Sequence, residues 1–330
     1  MRYATLGDGG IKVSRMALGC WPFAGGRVWG PQDDNDSIAA VHAALDAGVN
    51  FFDTAEGYSD DSNSEEVLGR ALAGRRGEAV IATKFSRTDQ DPHIIAERCD
   101  ASLKRLGTDY IDLYQIHWPN HDVPIADTMT ELLKLQESGK VRALGVCNFA
   151  VRDLTDILEC GVIVTDQLPY NLLWRALEFA IKPTCVANDV GVICYSPLQQ
   201  GLLTGRYASA DDVPPGLSRS RHFHKDREQS IHGEDGCEEE TFAAIAAVLE
   251  IADEVGEHPA KLSLAWALAQ EGVTSLLVGA RNPDEVALNT PSFDYDLPAD
   301  VEKALSAATE ELKQILGHNA DFWQSPSRMR

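Results

Sequence analysis

The run Asn50-Phe51-Phe52-Asp53-Thr54-Ala55-Glu56-Gly57-Tyr58 turns abruptly from apolar to polar. Phe51 and Phe52 suit a short buried strand, and Asp53 stands where that strand should end. Gly57 permits a turn, and Tyr58 falls in the loop beyond it. A strand that delivers a carboxylate and a phenol to the loop above it has the pattern of the catalytic end of a β/α barrel. By themselves, Asp53 capping a turn and Tyr58 packing sideways would account for the same residues.

The flanking sequence decides between the two. Upstream, Thr5-Leu6 and Ile11-Lys12-Val13 bracket Gly7-Asp8-Gly9-Gly10, so residues 1–13 read as a hairpin. Residues 16–20 are a candidate first barrel strand, with Trp21 and Gly25-Gly26 in the loop after it. Asp36-Ser37 opens a helix with Ile38, Val41 and Leu45 on one face, closed by Gly48. Strand 49–52 follows. Downstream, Ser62 and Glu65 have the spacing of a capping box for a helix carrying Val67, Leu68 and Leu72. Strand 79–83 ends at Lys84. Ile95, Cys99, Leu103 and Leu106 form a helical stripe closed by Gly107, and strand 110–116 ends at His117.

The alternation continues. Ile125, Met129, Leu132, Leu133 and Gln136 define a helix face, followed by strand 141–146 and a short helix with Leu154, Ile157 and Leu158. Residues 162–165 lead to Gln167, residues 181–190 are helical, and strands 192–195 and 274–278 complete the set, the last preceded by a helix with Leu262, Trp266 and Leu268. Strands that are continuous apolar runs, alternating with helices, predict right-handed crossovers and a parallel sheet buried on both faces. The expectation is one domain over residues 1–330: a (β/α)8 TIM barrel with an N-terminal hairpin, a long loop between barrel strands 7 and 8, and a C-terminal extra helix. An open doubly wound sheet would want a Gly-x-Gly-x-x-Gly turn after its first strand, and none stands there. Residues 205–240 are polar, with Pro214-Pro215-Gly216 and the acidic run Glu238-Glu239-Glu240, and predict a lid or clamp.

Composition limits the function. A net charge of −22 argues against non-specific nucleic-acid binding, and no apolar run reaches the roughly 18 residues of a membrane helix. The first residues carry no apolar signal core, and seven scattered Cys without a Cys-x-x-Cys pair suit free thiols, so a cytoplasmic protein is expected. His222, Phe223 and His224 with His232 lack further ligand spacing, and no metal site is predicted there.

Four polar residues fall at or just beyond three successive strand ends: Asp53, Tyr58, Lys84 and His117. In a barrel these ends share one rim. A phenol titrates near pH 10 and is a poor proton shuttle at neutral pH, but a neighbouring ammonium stabilises the phenolate. Asp53 would hold Lys84 and balance its charge. His117 would hydrogen-bond a substrate oxygen or tune the phenol. Such a group protonates a carbonyl oxygen as it becomes an alkoxide.

Eight motifs in order now carry a resemblance: Phe52-Asp53-Thr54-Ala55-Glu56-Gly57-Tyr58; Ser64-Glu65-Glu66-Val67-Leu68-Gly69; Thr83-Lys84; Leu113-Tyr114-Gln115-Ile116-His117-Trp118-Pro119; the runs 139–149, 195–205 and 279–289; and Gln167-Leu168-Pro169-Tyr170-Asn171. The chain resembles the aldo-keto reductases over nearly its whole length. The resemblance implies a barrel that binds NADP(H) without a Rossmann domain, with Tyr58 as general acid/base supported by Asp53, Lys84 and His117. It implies that Asn148 and Gln167 hold the nicotinamide carboxamide, that Tyr195 lies against the ring, and that Ser196, Leu198, Gly201 and Arg206 wrap the pyrophosphate. Gly279, Arg281, Glu285 and Asn289 fall in its adenosine-phosphate stretch, and Trp21 borders both cofactor and substrate. Trp21, Tyr58, His117 and Trp118 line the substrate pocket, which suits an aldehyde, ketone or sugar carbonyl or the matching alcohol.

Three positions depart from that pattern. Cys147 stands where Ser is usual before Asn148. Glu285 stands where Gln is common; near a 2′-phosphate its charge repels, whereas a ribose 2′-hydroxyl would donate to it. NADP(H) is therefore preferred, on the strength of Arg281, and NAD(H) stays open. Ser59-Asp60-Asp61 replaces the glycine often found after the tyrosine, at the substrate mouth. The rival reading is a cofactor-sensing regulatory subunit of a partner protein with little turnover. A homo-oligomer stays open as well.

Overall fold

The computed structural model describes residues 1–7, 9–85 and 91–330. Its strands are β1 (Tyr3–Thr5), β2 (Lys12–Ser14), β3 (Met16–Gly19), β4 (Phe51–Asp53), β5 (Val80–Phe85), β6 (Ile111–Ile116), β7 (Val141–Cys147), β8 (Thr165–Pro169), β9 (Gly191–Tyr195) and β10 (Val273–Gly279). β3 to β10 close into a barrel in the order β10-β3-β4-β5-β6-β7-β8-β9, every pair parallel. The fold is the (β/α)8 TIM barrel, and β1 and β2 form the antiparallel N-terminal hairpin. Asp8 of the expected turn lies outside the described residues.

Side chains two apart on a strand share a face. That period sets the interior. Ala17, Phe51, Ala82, Leu113, Ala143, Ile193 and Leu277 fill the lower barrel together with Leu6 and Val13 from the hairpin. One step further along the same faces come Asp53, Lys84, Gln115 and Tyr195. Thus β4, β5, β6 and β9 are apolar where the barrel is packed and polar where it opens.

The helices are α1 (Gly26–Trp29), α2 (Asp34–Asp46), α3 (Ser64–Ala71), α4 (Pro92–Leu106), α5 (Ile125–Glu137), α6 (Val151–Leu158), α7 (Ile181–Ala187), α8 (Glu238–Val255), α9 (Pro259–Ala269), α10 (Pro283–Asn289), α11 (Ala299–Ala308) and α12 (Glu310–Leu316). Several boundaries differ from expectation, each for a local reason. α2 starts two residues early because Asp33 caps it, accepting from Asn35 N at 2.7 Å. α3 is capped by Asn63, which accepts from Glu65 N and Glu66 N; Ser62 instead donates to Asp34 at 2.8 Å. On α5 the buried stripe is Thr128, Met129, Leu132 and Leu135, leaving Leu133 and Gln136 exposed. Helix 181–190 stops at Ala187, and β8 begins only at Thr165. The C-terminal addition is two helices, not one, broken at Thr309, whose hydroxyl accepts from Arg175 at 3.1 Å.

The long insertion after β9 is not a structureless loop. Ser220, His222 and Phe223 are buried, and Arg221 pairs with Glu234 while donating to Asn319 O at 2.8 Å. His222 bonds Leu173 O at 2.9 Å through Nε2 and Gln199 at 3.0 Å through Nδ1. The segment is a packed strap between the barrel rim and the C-terminal tail. Glu238-Glu239-Glu240 lies in the first turn of α8, where acidic groups favour the helix dipole. No group of three or more His, Cys, Asp or Glu among the described residues is arranged to hold a metal ion.

Candidate active site

Lys84 Nζ sits at the centre of the upper barrel, fully buried. It donates to Asp53 Oδ1 at 2.5 Å, to Thr54 O at 2.9 Å and to Tyr58 Oη at 3.3 Å. Its three protons are thus directed at a carboxylate, a carbonyl and the phenol. Burial lowers the lysine pKa, but the charges of Asp53 and Tyr58 outweigh it, and the net direction is upward. The ammonium is therefore charged at neutral pH. His117 completes the group, its ring edge-on to that of Tyr58 with centroids 5.7 Å apart. The structure brings all four predicted residues to one rim.

The start of α3 fixes their mutual register. Ser64 Oγ donates to Cys20 O at 2.7 Å and bonds Thr54 Oγ1 at 2.9 Å. The neighbouring Glu65 carboxylate is fully buried between Thr83 Oγ1 and Arg105 Nε, each at 2.6 Å. One helix end thereby holds the segments after β3 and β4 and the residue before Lys84 in β5. Glu65 does this in place of the capping role its spacing suggested.

Trp21 stacks on Tyr58 at 5.6 Å, and Trp29 meets Trp21 edge-on at 5.4 Å. Arg219, from the insertion, lies over Trp323 at 4.4 Å and over Trp21 at 5.6 Å. Arg328 lies over Trp118 at 3.5 Å, with Asp321 gripping it through two contacts of 2.8 Å. Trp29, Arg219, Trp323 and Arg328 were not foreseen in the mouth; Trp29 comes from α1 in the segment after β3, whereas Arg219, Trp323 and Arg328 reach it because the strap and the tail fold back over the rim. Asp60 and Asp61 act there too. They accept from Arg27 N at 3.2 Å and Gly26 N at 2.8 Å, and a Cβ on Gly26 would lie 1.9 Å from the Asp60 carboxylate.

The remaining predicted residues fall in two groups. In the first, Asn148 adopts a left-handed backbone, φ 60°; its Oδ1 accepts from Tyr195 Oη at 2.9 Å and its Nδ2 donates to His117 O at 3.1 Å. Gln167 Nε2 donates to Asp53 Oδ2 at 2.7 Å. Cys147 Sγ lies 3.6 Å from Gln115 Oε1, and burial pushes its thiol pKa up, so it is neutral. Beyond Tyr195 the chain takes left-handed conformations at Ser196 (φ 52°), Gln199 (47°), Gln200 (53°) and Gly201 (97°) on either side of Leu198, and a Cβ on Gly201 would meet the Arg206 guanidinium carbon at 3.1 Å. Two of these N–H groups close the turn itself, Gln199 N donating to Ser196 O and Gly201 N to Leu198 O, each at 2.9 Å.

The second group lies at the end of β10 and the start of α10. Gly279 would bring a Cβ within 3.2 Å of Pro22. Arg281 N donates to Glu285 Oε2 at 2.8 Å, and Asn289 Nδ2 donates to Glu285 O at 2.8 Å. The Arg281 guanidinium is held by Gln32 and Pro31 of the loop after β3, a contact that nothing in the local sequence announced.

Barrel, buried Asp–Lys–Tyr cluster and rim histidine together define a carbonyl oxidoreductase class. Residues 15–310 match the family described as Aldo/keto reductase family, and the chain belongs to it. It is 32% identical over 326 residues to the aldo-keto reductase YhdN of Bacillus subtilis (strain 168), covering 94% of each chain. It is 34% identical over 320 residues to the NADH-specific methylglyoxal reductase of Escherichia coli (strain K12), covering 90% of this chain and 95% of that one. Among solved structures, the glycerol dehydrogenase AKR11B4 from Gluconobacter oxydans superposes with a TM-score of 0.78 at 34% identity, over 91% of this chain and 93% of that one.

Proposed function

We propose that this chain, acting as a single domain, passes hydride between NADP(H) and the carbonyl of a short, oxygen-rich aldehyde, ketone or sugar, with Tyr58 as general acid/base. The observation that carries the proposal is the Lys84 ammonium, buried and in contact with both Asp53 and the Tyr58 oxygen. An ammonium 3.3 Å from the phenol oxygen stabilises negative charge there. Tyr58 gives its proton to the substrate oxygen as that becomes an alkoxide, and Asp53 keeps Lys84 in place. His117, against the Tyr58 ring, orients the carbonyl.

The family's cofactor fits the residues present. The tight turn from Ser196 to Gly201 sets the Arg206 guanidinium against Gly201, a cation that suits a pyrophosphate, and Gln167 Oε1 is the acceptor left for a carboxamide N–H₂. Asn148 joins Gln167 there, and Tyr195 flanks the ring. When bound, the nicotinamide supplies or accepts the hydride. The preference for NADP(H) rests on Arg281, since Glu285 is engaged by the Arg281 backbone N–H rather than by its guanidinium. NAD(H) is the alternative, because one relative is described as NADH-specific. A short substrate is favoured by the four tryptophans at the mouth, Trp21, Trp29, Trp118 and Trp323, and by relatives described as acting on methylglyoxal and glycerol.

None of the seven cysteines is in a disulfide, which supports a cytoplasmic setting, and no helix among the described residues is long and apolar enough to cross a membrane. Titrating purified protein into NADPH and NADH while following nicotinamide fluorescence, then running a panel of short aldehydes, ketones and sugars, tests the proposal. Absence of binding by both dinucleotides would end it. Tight binding with negligible turnover and a stable partner on size exclusion would favour a regulatory subunit instead.

A further inference from the structure

Gln32 is clamped from both sides. Its Nε2 donates to Arg281 O at 2.9 Å and to Ser37 Oγ at 3.0 Å, in the first turn of α2. Its Oε1 accepts from Arg281 Nε at 2.7 Å, and Pro31 O accepts from Arg281 Nη2. The amide therefore reads the carbonyl and the guanidinium of one residue at once, which fixes its orientation. This ties the loop after β3 to the start of α10, the first and last strand ends of the closed barrel.

The partners have a consequence for charge. Both acceptors on the guanidinium are neutral, and the nearby carboxylate of Glu285 is occupied by the Arg281 backbone N–H at 2.8 Å. Among the described residues no carboxylate pairs with the Arg281 guanidinium, in a chain of net charge −22. Nη1 is reached by no protein group among the described residues. A guanidinium held along one edge presents the other edge in a fixed direction, and less conformational entropy is lost when an anion docks on it.

We infer that Gln32 is a specificity-determining residue for the dinucleotide: by orienting Arg281 it sets the discrimination between a 2′-phosphate and a 2′-hydroxyl. This rests on the reading of Arg281 as the group that meets that position. Gln32 touches neither the proton-transfer cluster nor the residues assigned to the nicotinamide, so its effect belongs to binding.

The test is a double-mutant cycle of Gln32→Met, Arg281→Ala and both together, read as Kd for NADPH and NADH by nicotinamide fluorescence. Gln32→Met keeps the volume and removes the hydrogen bonds; Gln32→Ala is the second variant should the first misfold. The expected result is NADPH weakened about tenfold by Gln32→Met, NADH changed less than about twofold, and no further effect of Gln32→Met once Arg281 is Ala. Equal weakening of both dinucleotides by Gln32→Met, or an effect that persists in the Arg281→Ala background, would overturn the inference. If Arg281→Ala is selective for NADPH while Gln32→Met is silent, the inference fails alone and the cofactor reading stands. If Arg281→Ala itself weakens both dinucleotides equally, the cofactor reading has failed.

Discussion

Gln167 Nε2 donates to Asp53 Oδ2 across 2.7 Å, while Lys84 holds the other oxygen of the same carboxylate at 2.5 Å. A residue assigned to the nicotinamide is thereby wired into the group that sets proton transfer. Gln167→Met should therefore do two things: weaken NADPH by about tenfold and lower kcat, because Asp53 Oδ2 keeps only the longer 3.4 Å contact from Gln115. Fluorescence titration and turnover on the same preparation check it. A change in Kd with kcat intact would mean the link to Asp53 is idle.

Tyr58→Phe removes the proton and leaves the ring. Turnover should fall by about a thousandfold, with NADPH affinity within about twofold of the parent. Steady-state rates beside fluorescence titration decide it, and near-normal turnover would remove Tyr58 from the chemistry.

Lys84→Met strands the Asp53 charge in a site with almost no solvent. The cost should be about 3 kcal/mol or more in urea unfolding of the dinucleotide-free protein. Lys84→Met combined with Asp53→Asn should recover part of it, since no uncompensated charge then remains. A double variant no more stable than Lys84→Met alone would contradict this account of the pair.

His222, buried in the strap, has its pKa lowered to about 4, chiefly by burial and despite its hydrogen bond to Leu173 O. A folded pKa below the unfolded value of 6.5 means that the unfolded chain binds the proton first. Its contribution to stability is thus intact above pH 6.5 and is lost as pH falls toward 4, by at most about 1.4 kcal/mol per pH unit. Urea midpoints at neutral pH and near pH 5 should differ more for the parent than for His222→Gln. Equal differences would place the sensitivity elsewhere.

Much of this could be read along the chain because barrel strands are continuous apolar runs, and several of them end on a polar residue. Asp53, Lys84 and His117 stood at such ends, and the strand period alone sends the first two to the same interior. The cap of α3 was misread because Asn63 and Ser62 are both competent caps, and the tertiary pull of Thr83 and Arg105 on Glu65 removed the capping box. Arg219, Trp323 and Arg328 were illegible for a different reason. Nothing in a local window says that a tail ending near residue 330 returns to cover Trp118, or that the polar segment around His222 is buried. Gln32 and Arg281 lie far apart in sequence and meet only because the barrel closes.

Leu6 and Val13 cork the lower end of that barrel. A vessel stoppered at the base has one doorway, so whatever is bound above must arrive and depart past the same lip. The seal and the lip are built from different stretches of chain. Loops at the doorway are free to be rewritten for a new visitor while the stopper goes on keeping the vessel shut.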